Sequence, residues 1–148
     1  MRQVMLLWNK THATGSSTID QHHQMLMDNI NHLERMLTST NPTAEECKLL
    51  IQLVDFLESY ADMHFKFEEE CMERFRCPAH QKNKEGHAQF REFFRRFKER
   101  HTTEGFRPEV LKDLHAMASA WIQTHILQVD LQLRPCIKAG ALRQSSVL

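Results

Sequence analysis

Apolar residues recur at intervals of three and four along four long stretches of the chain, separated by prolines, glycines and polar clusters. That spacing predicts helices. The first runs from about Ile19 to Leu37, with Ile19, Leu26, Ile30, Leu33 and Leu37 as its stripe, and ends in the polar loop TSTNPT. The second runs from about Ala44 to Phe75. Thr43 suits the N-cap, and Glu45 and Glu46 suit the first turn, where they face the positive end of the helix dipole. Inside it, Met63, Phe67, Cys71 and Phe75 recur at every fourth position and read as a core pattern, and Cys77-Pro78 stops it. The third runs from about His80 to Arg100, with Phe90, Phe94 and Phe97 on one face, and the loop HTTEGFRP ends it. The fourth begins near Pro108, which fits the first helical position. It continues to about Leu133 and is stopped by Pro135.

Four amphipathic helices with short connections predict an all-α fold, an antiparallel up-down-up-down four-helix bundle. Residues 1–135 form one domain. Residues 1–17 within it are an irregular arm packed on the outside and anchored by Trp8. Residues 136–148 are a patternless, flexible tail. No period recurs along the chain, which disfavours a helical repeat array.

Composition narrows the class. The 148 residues suffice for one core, are 41% hydrophobic and 26% charged, and carry only four glycines and four prolines, which suits helices better than a turn-rich β fold. Lys plus Arg and Asp plus Glu both number 19, so the formal charge is zero with His neutral. That argues against nucleic acid or an anionic membrane as partner. No apolar run approaches the ~20 residues of a membrane span, and the N-terminus is too short in apolar residues for a secretory signal, so a cytoplasmic location is the default. The four cysteines show no CxxC pairing and read as free thiols in a reducing compartment. The ten histidines stand out.

Several of them fall on the inner stripes. His23 lies between Ile19 and Leu26. His64 and Glu68, at i and i+4, share one face of the second helix. His87 lies three residues before Phe90, and His125 four after Trp121. Asp130, five residues past His125, is rotated about 140° on an ideal helix and reaches the centre from the flank, as a carboxylate bridging two ions would. A single core histidine is commonly a hydrogen-bonded structural residue. Four helices each bringing one inward, with two carboxylates among them, are different: burying so many ionisable groups without a partner costs several kcal/mol each. A two-metal site removes that cost, with imidazoles as neutral donors and carboxylates offsetting cationic charge. By the same reasoning Glu69 and Glu70 read as solvated charges on the outer face. His12, His32, His101 and His115 lie in the arm, off the inner stripe or at an end, and His22 points about 100° away from His23. Cys71, one turn from Glu68, reads as packing.

The motifs IDQHHQML, YADMHFKFEEECM, NKEGHAQF and WIQTHILQVD, with Trp8 and a Thr-Gly in the arm, together resemble the hemerythrin family, specifically single-domain bacteriohemerythrins. The match runs from Trp8 to Asp130. The resemblance implies two non-haem iron ions bridged by Glu68 and Asp130. One would be held by His23 and His64, with an open position for O2. The other would be held by His87, His125 and a further histidine. Phe65, Trp121, Ile122 and Ile126 would wall a dry oxygen pocket. The chain departs from the family at that further histidine: four before His87 stands Asn83. Asn83 could ligate through its amide oxygen, a water or small anion could take the position, or His80 could substitute from about 10.5 Å away along the helix axis.

The function implied is O2 binding for transport, storage or sensing, a binding protein in preference to an enzyme. The competing readings are a di-iron enzyme reducing O2, peroxide or nitric oxide, and a redox or oxygen signalling module. The sequence leaves the oligomeric state open.

Overall fold

A computed structural model describes residues 5–38 and 41–145, with side chains up to residue 140. Residues 1–4 of the expected arm, 39–40 of the first loop and 146–148 of the expected tail lie outside the described residues. The elements are α1 (Ser17–Met36), α2 (Ala44–Arg74), α3 (His80–Glu104), α4 (Pro108–Gln128) and α5 (Leu133–Ser145), with short 3-10 turns at Lys10–His12 and Asp130–Gln132. Helices α1 to α4 pack each against the next and α4 closes back on α1, which makes the four-helix bundle. Among the described residues no helix is long and apolar enough to cross a membrane.

Local chemistry accounts for the helix starts. Ser16 caps α1 by accepting from the Ile19 N–H, and Thr43 caps α2 by accepting from the Glu46 N–H. Pro108 opens α4, where its missing N–H leaves nothing unsatisfied. At the end of α2, Arg76 adopts a left-handed φ of 52°. The Arg76 N–H then reaches the Glu73 carbonyl and the Cys77 N–H reaches the Met72 carbonyl, a Schellman closure that turns Cys77 inward.

The stripes of α1 and α3 are the core: Ile19, Leu26, Ile30, Leu33, Phe90 and Phe94 are all buried. On α2 the structure corrects the sequence reading. Met63 and Phe67 are 43% and 40% exposed, and Cys71 and Phe75 are only half-buried. The buried face of α2 is instead Leu50, Val54, Leu57, Ala61, Phe65 and Met72, together with His64 and Glu68. An every-fourth-residue row drifts about 40° per step around a helix, so it leaves the core face that a three-four alternation keeps.

The arm is held at two points. Leu6, nearly inaccessible, exchanges both backbone hydrogen bonds with the buried Asn31 side chain at 2.8 Å each, and the Thr14 N–H and hydroxyl both donate to Asp20. Trp8 is only partly buried against the core. Leu6, rather than Trp8, is the deeper anchor.

The C-terminal end also differs from expectation. Helix α4 stops at Gln128, Val129 (φ −114°, ψ −57°) breaks the line, and a new helix runs from Leu133 to Ser145 through Pro135. Pro135 lies in the first turn of α5, where a proline removes no intrahelical hydrogen bond. Leu133 is fully buried, Ile137 packs near it, and a side chain at Gly140 would collide with the Phe75 ring.

Phe94 is fully buried and packs its ring on Phe90. Phe94→Ala is expected to cost about 3–5 kcal/mol, measured by urea unfolding with an unchanged slope; a loss under about 1 kcal/mol would show that the core stripe of α3 is misplaced.

Candidate metal centre

The sequence-predicted residues converge on one spot. Helix α1 supplies His23, α2 supplies His64 and Glu68, α3 supplies Asn83 and His87, α4 supplies His125, and the 3-10 turn after α4 supplies Asp130. All seven are buried, none more than 5% exposed. They form two overlapping groups, His23–His64–Glu68–Asp130 and Glu68–His87–His125–Asp130, and within each the donor atoms lie within 4.8 Å of one another.

The two carboxylates belong to both groups, and each divides its oxygens between them. Glu68 Oε2 lies 3.2 Å from His23 Nε2 and 3.3 Å from His64 Nε2, whereas Glu68 Oε1 lies 3.2 Å from His87 Nε2. Asp130 Oδ2 lies 3.0 Å from His23 Nε2, and Oδ1 lies 3.0 Å from His125 Nε2. The break at Val129 makes this possible. On a continued α4, Asp130 would sit at the flank; in the 3-10 turn its carboxylate faces inward.

Asn83 is fully buried, and its Oδ1 lies 2.7 Å from His125 Nε2, so it presents an oxygen to the second group. The half-buried His80 belongs to neither group.

The electrostatics are those of a site built for a cation. Burial alone would strip the proton from His23, but its hydrogen bonds to the Asp130 and Glu68 carboxylates outweigh that and hold the imidazolium up to about 10. Burial lowers His64, against the pull of Glu68. Glu68 is fully buried, a condition that disfavours its charge, yet the imidazoles of His64, His23 and His87 set around it hold it well below the usual carboxylate range. Glu68 Oε1, His87 Nε2 and Asp130 Oδ1 are buried with no hydrogen-bond partner, although oppositely polar atoms stand close by. Imidazole nitrogens and carboxylate oxygens crowded together, with Glu68 Oε1, His87 Nε2 and Asp130 Oδ1 among them unsatisfied, fit shared coordination of metal.

Groups behind the donors orient them. His87 Nδ1 is 3.0 Å from Glu69 Oε2, and His64 Nδ1 is 3.0 Å from His22 Nδ1. Both outer residues correct the sequence reading. Glu69 is no solvated charge: its side chain is 18% exposed and holds the back of a donor ring. His22 does leave the centre, but only to reach the outer nitrogen of His64, wedged edge-on among Tyr60, His64 and Phe67. The signal available was general: a ligating imidazole usually gives its second nitrogen to a neighbouring acceptor, so polar residues beside the ligands are the first to inspect. Glu70 is exposed, as expected, and His115 is buried far along the bundle, 3.8 Å from Glu34.

Aromatic faces complete the walls. Phe65 stacks on His87 at 3.9 Å and Trp121 on His125 at 4.3 Å, both nearly parallel. Ile122 and Ile126 are buried beside them. On the other side of His125, α3 comes very close at Gly86. A cleft of about 270 Å³ lined by Lys82, Glu85, Gly86, Trp121 and His125 opens there toward solvent.

A four-helix bundle whose core holds two carboxylate-sharing clusters of imidazoles is the architecture of a metal-binding protein. Residues 14–137 match the hemerythrin HHE cation binding domain, and the chain belongs to the hemerythrin family. It is similar to a bacteriohemerythrin of Stenotrophomonas maltophilia (strain R551-3), 28% identical over 136 residues that cover 92% of this chain and 84% of that protein.

A Cβ at Gly86 would lie 2.5 Å from His125 Cε1 and 2.7 Å from Nδ1. In a plain helix interior, Gly→Ala stabilises by roughly 0.5–1 kcal/mol. Gly86→Ala is expected to do the reverse here, pushing the His125 ring off its position and lowering metal content while helicity by circular dichroism is kept. A stabilised variant with full metal content would show that the α3–His125 contact is not tight.

Proposed function

We propose that this chain holds two non-haem iron ions between its helices and binds O2 there, as a carrier, store or sensor. The observation that carries the reading is the division of the Glu68 and Asp130 oxygens between two histidine pairs, an arrangement that one ion cannot use fully and two ions can. His23 and His64 would hold one ion and His87 and His125 the other, with the Glu68 and Asp130 carboxylates shared between the two positions. Asn83 faces the second position with its amide oxygen, where the family resemblance leads one to expect a third imidazole. When bound, such an ion pair supplies redox electrons and an exchangeable coordination position for a diatomic ligand.

The protein's own part is to place and insulate. Glu69 and His22 fix the rings of His87 and His64, and Phe65, Trp121, Ile122 and Ile126 keep water and protons away from the bound ligand. His23, protonated in the metal-free protein, gives up its proton as its Nε2 becomes a donor, so loading releases protons and weakens as pH falls. Asn83 favours the second reading, reduction of O2, peroxide or nitric oxide. An amide oxygen is a weaker donor to iron than imidazole, and the cleft beside His125 gives small molecules a route to that position.

Purified protein is expected to contain two equivalents of iron and to change its visible spectrum reversibly between anaerobic buffer and air. His64→Ala should lose up to half the iron, and Glu68→Ala more, because the bridging carboxylate serves both ions. Undiminished iron in both variants would overturn the assignment, and steady reductant consumption in place of a reversible spectrum would favour the enzyme.

Asn83→His should slow loss of iron on dialysis and prolong the oxygenated state. If the wild type already retains both ions and a long-lived adduct, and the variant changes neither, Asn83 does not govern the second position.

A further inference from the structure

Three cysteines gather at the end of the bundle where α5 docks. Cys77 is 4% exposed and belongs to the small apolar cluster of Ile19, Met72, Ala79 and Leu133, and half-buried Cys71 and Cys136 pack against that cluster. Cys77 sits in the α2–α3 turn, and Cys136 lies in the first turn of α5. They are 59 residues apart in sequence, yet their thiols share one acceptor. Cys77 Sγ donates to the Gln132 carbonyl at 3.5 Å, and Cys136 Sγ donates to the same oxygen at 3.4 Å. The two sulfurs are therefore separated by no more than those two distances laid end to end. Both residues line one cleft of about 410 Å³, together with Phe75, Pro78, Ala79 and Pro135.

We propose that Cys77 and Cys136 are a peroxide-reactive dithiol that closes to a disulfide, tying α5 to the α2–α3 turn. Cys136 is the more accessible of the two and reacts first. Its sulfur attacks one oxygen of hydrogen peroxide, the O–O bond breaks, and the second oxygen leaves as water with the thiol proton. The sulfur, oxidised by two electrons, is now a sulfenic acid. The buried Cys77 sulfur then attacks it, the S–S bond forms, the S–O bond breaks, and the hydroxyl leaves as water with the Cys77 proton. Two thiols and one peroxide give one disulfide and two waters, and an added dithiol reverses the change by exchange.

The surroundings favour this pair over Cys71. Burial and the negative charge of Glu68 push the Cys71 thiol up, away from the thiolate that reacts. The Schellman closure fixes the Cys77 backbone, and the Leu133 and Gly140 contacts hold α5 alongside it, so the sulfurs have only a short approach to make. The closed bridge has a structural effect near the metal centre. Asp130 lies in the turn that leads into α5, so the disulfide restrains the segment carrying that carboxylate.

The chemistry needs no metal, and it is tested on the full-length protein in both chelated and iron-loaded form. Reduced protein is freed of reductant under nitrogen, treated with one equivalent of hydrogen peroxide, alkylated and digested. The expected result is loss of two titratable thiols per chain, a single cross-linked peptide pair containing Cys77 and Cys136, monomeric migration on a denaturing gel, and full recovery with dithiothreitol. The oxidised protein should melt several degrees higher than the reduced one. Cys77→Ser should leave Cys136 as a sulfenic acid that dimedone captures, and Cys136→Ser should leave Cys77 unoxidised. The wild-type peptide map decides the question even if Cys77→Ser folds poorly. A cross-link through Cys71, disulfides only between chains, or Cys136 over-oxidised beside an intact Cys77 thiol would each overturn the proposal.

Discussion

Two buried carboxylates shared among four imidazoles are the constraint from which the rest of this bundle follows. Glu68 and Asp130 are essentially inaccessible to water, and charge placed there must be compensated within the protein. His23 is held as an imidazolium between them, but His64, the other ring on that side, is driven toward neutrality. The protein side chains on α1 and α2 thus answer one of two negative charges. Bound metal would reverse the balance and give the orphaned oxygens and the His87 nitrogen partners that the side chains do not supply to one another. Metal bound only by the folded state would add its binding free energy to the stability of such a core.

The demand for a second carboxylate also shapes the backbone. A donor five residues beyond His125 cannot face the centre from a straight helix. The chain resolves this by ending α4 at Gln128 and entering a 3-10 turn, and once the axis has broken a new helix is free to start in a new direction. Helix α5 is the consequence. It lays Leu133 and Ile137 over the open end of the bundle, and it brings Cys136 to the turn that carries Cys77. One local change of helix geometry therefore turns a carboxylate inward, closes an end and juxtaposes two thiols.

The fold class and the residues that converge were legible in sequence because both rest on helical periodicity. The α1 and α3 stripes, the Thr43 cap and the start at Pro108 depend on neighbours within a turn or two, where sequence spacing and spatial spacing coincide. The same is true of His64 and Glu68 as a pair. What escaped depends on how helices are rotated against one another. Met63 and Phe67 followed a regular row, but the row leaves the buried face. Glu69 and His22 lie one residue from a donor and looked excluded by the 100° step, yet the outer nitrogens of His87 and His64 are found in just those directions. The continuation of helix through Pro135 was missed because proline was read as a stop, although it is equally at home in a first turn. Whether Asn83 or His80 stands near the second group needed the packed helices: Asn83 points in, and His80, at the start of α3, does not reach.

The two clusters are not equivalent, and the difference has a direction. The His23–His64 side lies deep, with His22 fixing the outer nitrogen of His64. The His87–His125 side has an amide oxygen among its donors, a glycine in contact with one ring, and a cleft beside it. Stacked Phe65 and Trp121 compensate by covering the two ring faces with apolar surface, so the exposure is confined to the edge at Gly86. Weak donation and a solvent route at the same position both favour exchange there, whereas strong donation and burial favour retention at the other. On the proposed reading, a centre so divided would hold one ion as the fixed point and offer the other to small molecules, with the side chain at residue 83 setting how far that division goes.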